Sequence, residues 1–287
     1  MKELLFFEPL CKERRWGSET WTVSALPEGD LKVSEGSYAG ETLSGLWKDH
    51  RELFGRGKGE LFPLLVKVID AKSDLSIQVH PDDTYAKAHE NGACGKAESW
   101  YIMDVTEGNT LVLGHHAKTR EQAREMVQSG RWNEFIRQVP VEAGELVQID
   151  PGTIHAIHGG TKITEIQQSS DITYRLYDYD RTVNGKKREL HIEKSLDVIR
   201  VPDRSEEKIY HSFPENGHQT AFYQIMRYEI EKEQSFDQDK DFQIISVVDG
   251  EGHIDGHRIK RGDSLIVPYA YGNYTITGQT EILITSL

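Results

Sequence analysis

Leu75-Ser76-Ile77-Gln78-Val79-His80-Pro81-Asp82 alternates residue by residue. Leu75, Ile77 and Val79 predict one apolar strand face, and Ser76, Gln78 and His80 the other, because successive strand side chains point to opposite sides. The apolar face asks for a core. The polar face lines up a hydroxyl, an amide and an imidazole, either as a solvated surface or as groups converging on one point. The same short-run texture recurs outward from this stretch, in LLVKVID, TLVLG, ELVQID, KITEIQ, TYRLYDY, FQIISVV, SLIVPY and EILITSL. Asp, Gly, Asn and Pro separate the runs. Many short strands at such spacing predict a mainly β chain, a sandwich or barrel of the jelly-roll kind.

Helical signals are few. Residues 40–55 place Leu43, Leu46, Trp47, Leu53 and Phe54 near one stripe. Thr119 with Gln122 has capping-box spacing, Ala123, Met126 and Val127 give one apolar face, and Gly130 is a stop. Pro81-Asp82-Asp83 opens a short helix carrying Tyr85 and His89. Gly144-Glu145-Leu146-Val147-Gln148-Ile149-Asp150-Pro151 is echoed by Gly262-Asp263-Ser264-Leu265-Ile266-Val267-Pro268. The echo predicts two β-domains, residues 1–202 and 218–287, joined by a polar linker at 203–217. The first copy runs on into His155. The second runs on into Tyr269-Ala270-Tyr271-Gly272 without a histidine, which predicts one metal site per chain. A lectin-like surface of Tyr269, Tyr271 and Tyr274 is a lesser reading of the second copy.

Composition bounds the function. The 287 residues are 37% hydrophobic and 28% charged, enough apolar material for a real core. A net charge of −13 gives no footprint for a nucleic-acid backbone. No apolar run approaches the ~18 residues of a membrane span. The N-terminal apolar stretch is broken by Glu3 and Glu8 and lacks a signal-peptide core. The two cysteines, Cys11 and Cys94, have no metal-type spacing and read as small buried residues. A cytoplasmic protein acting on small molecules fits these facts.

Three further stretches carry chemistry. Gly95-Lys96-Ala97-Glu98 puts an ammonium and a carboxylate on one strand face, as a surface ion pair or as parts of a site. Asp150-Pro151-Gly152-Thr153-Ile154-His155 delivers His155 from a Pro-Gly turn onto a strand, with His158 following in a loop. Arg175, in the run from Tyr174 to Arg181, would be a fixed cation able to meet an anionic oxygen. Gln78, His80, Glu98 and His155 together would form a four-ligand N/O site from three strands. That set suits Zn²⁺ or another borderline divalent ion, acting as a Lewis acid.

The segments SIQVHPDD, GKAESWYI, PGTIHAIHGG and QQSSDITYRLYDYDR, in this order and spacing, resemble type I mannose-6-phosphate isomerase (phosphomannose isomerase) in its short bacterial form. The likeness runs from Trp16-Gly17 through Glu189-Leu190-His191 to the C-terminus. It implies a zinc-dependent cupin enzyme, two jelly rolls with a small helical segment. Its implied reaction interconverts D-mannose 6-phosphate and D-fructose 6-phosphate through a cis-enediol. It places metal ligands at Gln78, His80, Glu98 and His155, the active-site arginine at Arg175, and substrate-side positions at Trp16, Ser76, Lys96 and Glu165. Longer members carry a lysine where this chain has Arg181, and a large helical insert of which residues 115–138 would be the remnant. Glu165, Lys96 and a hydroxide on the ion are all candidate proton carriers. Ser76, Lys96 and basic side chains of the 175–188 segment are candidate phosphate donors. Another metal cupin, such as an iron oxygenase, and a non-catalytic sugar-phosphate-binding relative are the alternatives.

Overall fold

The computed structural model describes residues 3–183 and 185–287. The turn expected at Asn184-Gly185 lies partly outside the described residues. Strands dominate, as the short alternating runs predict, and the chain divides into two compact units. One holds residues 13–18 and 69–212; the other holds 1–12, 19–68 and 213–287. This division departs from the expected boundary after residue 202. Residues 203–212, read from sequence as linker, belong to the first of these units, and Ile209–Tyr210 adds a short antiparallel strand against Val147 and Leu146.

The unit holding residues 69–212 carries every candidate site residue. One antiparallel sheet runs in the order Tyr174–Tyr177, Ile77–Val79, His155–Ile157, Thr110–His115, Ile136–Pro140. A second runs Ile209–Tyr210, Leu146–Ile149, Glu98–Val105, Thr161–Gln168. Leu111, Leu113 and Ile157 from the first sheet pack with Trp100, Ile102, Val147, Ile149 and Ile163 from the second, forming the interior of a sandwich. The opposite face of the first sheet carries Ile77, Val79, Val112, Ala156, Tyr174 and Leu176. Helical side chains Ala123, Met126, Val127, Phe135 and Leu196 cover it.

The opening stretch is therefore shorter and less uniform than its pattern suggests. The strand is only Ile77–Val79, and a register shift separates Arg175 from Tyr177 on its neighbour. Ile77 and Val79 pack under the helices, while Leu75 joins the sandwich interior. The alternation still puts Gln78 on the interior face.

The helix signals resolve locally. Thr119 caps Arg120–Gln128 by accepting from the Gln122 amide at 3.1 Å, and Gly130 ends the turn at φ +68°. The Gln122 side chain reaches one residue further back than a capping box requires and accepts from the Lys118 N–H at 2.6 Å. Residues 115–138 hold this helix and the short helix Trp132–Phe135. Asp82 caps Asp83–His89 through the Tyr85 amide at 2.8 Å. The 40–55 stripe divides into Leu43–Asp49 and the 3-10 turn Arg51–Phe54. Ile192–Val198 is a helix with no sequence signal in the reading above, because His191 caps it without a side-chain bond.

In the other unit, Leu5–Phe6, Ser264–Val267, Gln243–Ile254, Asn273–Ser286, Gln224–Ile230 and His218–Gln219 form one sheet in that order. Its core is aliphatic, with Ile245, Val247, Ile254, Leu265, Ile276 and Ile282. The echoed segments are alike in backbone: Gly144 and Gly262 both turn at positive φ, +89° and +93°, before strands Leu146–Ile149 and Ser264–Val267. Tyr274 is a core residue whose hydroxyl donates to Gln243, so the three tyrosines do not form one surface; Tyr269 is exposed and Tyr271 half-buried. Both cysteines are free; Cys11 is exposed, against the expectation of burial, because it lies on a strand whose residues alternate outward.

Candidate active site

Register assembles the site. Antiparallel partners share a face, and Arg175, Gln78 and His155 stand opposite one another across three adjacent strands. Ile157 and Leu113 show that this face looks into the sandwich. On the second sheet, Glu98 pairs with Gln167 and Ile149, and Trp100 pairs with Glu165 and Val147. Glu98, Trp100 and Glu165 therefore share the interior face.

The imidazoles of His80 and His155 lie 4.7 Å apart between ring centres, both fully buried. His80 Nδ1 is 2.7 Å from the Ile172 carbonyl and His155 Nδ1 is 2.9 Å from the Thr153 carbonyl. A carbonyl only accepts, so each Nδ1 donates, and in a neutral ring the Nε2 lone pair then faces the Glu98 carboxylate. The Glu98 carboxylate meets both: Oε2 is 3.6 Å from His80 Nε2 and Oε1 is 3.4 Å from His155 Nε2. Among the described residues, this is the one group of three or more His, Cys, Asp or Glu whose donor atoms all lie within 4.8 Å of one another. Burial pulls the His155 pKa down to about 4, so the ring is neutral near pH 7. Lone pairs facing a carboxylate repel one another unless a cation sits among them. The donor set therefore fits a divalent N/O-seeking ion, and the carbonyl partners fix the tautomers as outer partners of metal-bound histidines do. The Gln78 amide reaches the same place, with Nε2 3.2 Å from His155 Nε2. A half-turn of that amide would present its oxygen.

Lys96 and Glu165 stand beside this group. Lys96 Nζ lies 2.7 Å from Glu98 Oε2 and 3.5 Å from Glu165 Oε1, all three side chains being buried. Burial by itself pushes the ammonium pKa down, but Glu165 and then Glu98 outweigh it and hold Lys96 above the usual lysine range. Glu165 also accepts from the Trp100 indole at 3.1 Å. Ser76 is buried, and Trp16 packs in the interior cluster while its carbonyl accepts from the Lys72 and Ser73 amides at 2.6 and 3.0 Å.

Arg175 is half-buried. Burial draws its pKa down, and nearby Arg188 adds to that. Its Nη1 donates to the Glu189 carbonyl at 3.0 Å, and its buried Nε has no hydrogen-bond partner. Nearby, Asp178 gathers Arg181 and, at 3.5 Å, Arg188, with Arg14 and Arg15 close enough to depress Arg188. Lys186 and Lys187 are exposed on a two-strand ribbon. Arg181 is tethered to the carbonyls of Asp74 and Asp178, at 2.6 and 3.1 Å. Trp100, Asp178 and the imidazole-orienting carbonyls carry no signal in the sequence. Trp100 and the Ile172 carbonyl meet their partners 65 and 92 positions away, beyond any local pattern, whereas Asp178 meets Arg181 three residues on and the Thr153 carbonyl meets His155 two residues on.

Residues 2–111 match the model of the phosphomannose isomerase type I catalytic domain, and residues 216–287 match that of the mannose-6-phosphate isomerase cupin domain. The chain is 41% identical to mannose-6-phosphate isomerase ManA of Bacillus subtilis (strain 168), over 99% of each chain. The chain belongs to the type I phosphomannose isomerase family. It is also 37% identical to a mannose-6-phosphate isomerase of Streptococcus mutans, covering 99% of this chain and 98% of that one. A crystal structure of the mannose 6-phosphate isomerase from Bacillus subtilis superposes with a TM-score of 0.93 over 100% of both chains, at 34% identity. The cupin architecture implied by the sequence resemblance to phosphomannose isomerases agrees with the two antiparallel β-units.

Proposed function

We propose that this phosphomannose isomerase family member interconverts D-mannose 6-phosphate and D-fructose 6-phosphate as a zinc-dependent cytoplasmic enzyme with one ion per chain. The observation that carries the reading is the buried His80–Glu98–His155 group, with Arg175 and Gln78 in the same cross-strand row as His155. A divalent ion there supplies Lewis acidity, polarising a sugar oxygen and acidifying the adjacent C–H. The residues supply the rest. Gln78 is the fourth ligand of the set. Arg175 offers a fixed cation and an uncommitted Nε–H to the oxygen on which charge develops as the cis-enediol forms. Lys96, paired with Glu165 as well as Glu98, is placed to donate a proton to oxygen. Glu165 is left as the acceptor for the carbon-bound proton, oriented by the Trp100 indole. Trp16 and Ser76 bound the sugar. Lys96 is committed to two carboxylates and Arg181 to Asp178 and two carbonyls, so the phosphate falls chiefly to Arg188 beside Asp178.

A coupled assay of mannose 6-phosphate turnover tests this. Activity should vanish with chelator and return with Zn²⁺, and His155→Ala should lose bound metal and turnover together. A folded, zinc-loaded sample without turnover would leave a non-catalytic sugar-phosphate binder as the better account.

A further inference from the structure

We infer that His191 is a positioning residue for Arg175: its imidazole holds the backbone of the arginine-bearing edge strand, and protonating that imidazole lets the strand go. The inference rests on the role proposed above for Arg175.

Tyr174–Tyr177 is the outermost strand of its sheet, paired only with Ile77–Val79. An edge strand leaves every second N–H and C=O facing outward, unpaired by the ladder. Here both outward groups of Arg175 are taken by one residue. The Arg175 N–H donates to His191 Nδ1 at 3.1 Å, and the His191 N–H donates to the Arg175 carbonyl at 2.7 Å. Two residues earlier, the Glu189 carbonyl accepts from the guanidinium itself at 3.0 Å. The segment 189–191 thus grips Arg175 at three points. Only one of the three uses a titratable atom.

That atom must be a lone pair. Because Nδ1 accepts, His191 is the neutral Nε2–H tautomer. A proton on Nδ1 would set two donors against each other at 3.1 Å. Burial, first, keeps the His191 pKa below its ordinary value. Around it stand Glu189 and Arg175, Lys194 on its own helix, and Glu90 and Tyr174 from the elements packed against it. The carboxylates raise its pKa and the cations lower it. Glu90 is itself occupied by the Tyr174 hydroxyl at 2.7 Å and by Lys194 at 2.6 Å. The sign follows: the grip is intact above the lowered pKa and fails as pH falls through it.

The test compares kcat and KM over pH 5–8.5 in zinc-loaded wild type, His191→Asn, His191→Ala and Arg175→Ala. The asparagine amide oxygen can accept the same N–H without titrating, and asparagine is a good residue at the start of a helix. His191→Asn should keep kcat within about threefold at pH 8 and move the acid limb of kcat to lower pH. His191→Ala should lower kcat at every pH by about tenfold, the scale of one lost hydrogen bond, with KM and zinc content changed less than about twofold. An acid limb identical in wild type and His191→Asn, or wild-type kcat in His191→Ala, would overturn the inference. If Arg175→Ala is inactive while both His191 variants behave as wild type, only the His191 assignment fails. Full kcat in Arg175→Ala would overturn the Arg175 role and this inference together.

Discussion

Lys96 is the residue on which the electrostatics of the site turn. It is one ammonium between two buried carboxylates, Glu98 and Glu165. Removing one partner of a buried ionic group leaves an uncompensated charge and costs about 3–5 kcal/mol. Lys96→Met should therefore destabilise the chelated protein by about that much in urea unfolding. The loss should be clearly smaller with zinc present, because the ion also neutralises Glu98. Equal losses with and without zinc would mean that the ion does not sit against Glu98. The same logic explains why arginine at position 181 is not a substitute base. Its guanidinium is tied to two backbone carbonyls and to the Asp178 carboxylate.

At the scale of elements, the site depends on close backbone approach as well as on strands. Gly17 adopts φ +144°, and a Cβ there would lie 2.0 Å from the Asp70 carbonyl oxygen. Only glycine lets this segment sit against residues 70–73, and that seating fixes Trp16 through its carbonyl. Gly17→Ala should cost at least about 1–3 kcal/mol of stability and, if Trp16 borders the sugar as proposed, raise KM more than it lowers kcat. Steady-state kinetics beside a denaturant melt would show it.

Legibility followed the same scale. Residues whose placement is written in a local period are legible: the Gln78–His80 spacing, the Lys96–Glu98 spacing, and the caps at Thr119 and Asp82. What could not be read depends on which strands become neighbours. Leu75 continues the apolar alternation perfectly and yet faces away from Ile77 and Val79, because the strand starts only at Ile77. Trp100 and Glu165 meet by register, 65 positions apart. His191 was part of a recognisable motif, but its grip on Arg175 exists only because that strand lies at an edge. The boundary of the units was hidden for the same reason: Leu5 pairs with Ile266, and no local pattern announces that partnership.

For the whole molecule, an ion held by His80, Glu98 and His155 would be a folding ligand as well as a Lewis acid. An ion present at 100 times its Kd stabilises the folded state by about 2.7 kcal/mol. At about 2–4 °C per kcal/mol for a unit of this size, chelation should lower the melting midpoint by about 5–10 °C. Differential scanning calorimetry with and without chelator measures this, and an unchanged midpoint would argue against a tightly held ion. No helix among the described residues is long and apolar enough to cross a membrane.

The division of the chain into units also has a consequence for synthesis. Apart from residues 13–18, the site-bearing unit is one continuous run, 69–212, and the other unit is split around it. On a ribosome adding about 5–20 residues per second, residues 213–287 follow residue 212 by about 4–15 s. The unit carrying the candidate site residues is thus made in full while residues 213–287, the rest of the other unit, are still to come. The first-made segment is the last to be finished, and for those seconds the newborn chain exposes apolar side chains such as Leu43, Trp47 and Phe54 to whatever chaperones are at hand.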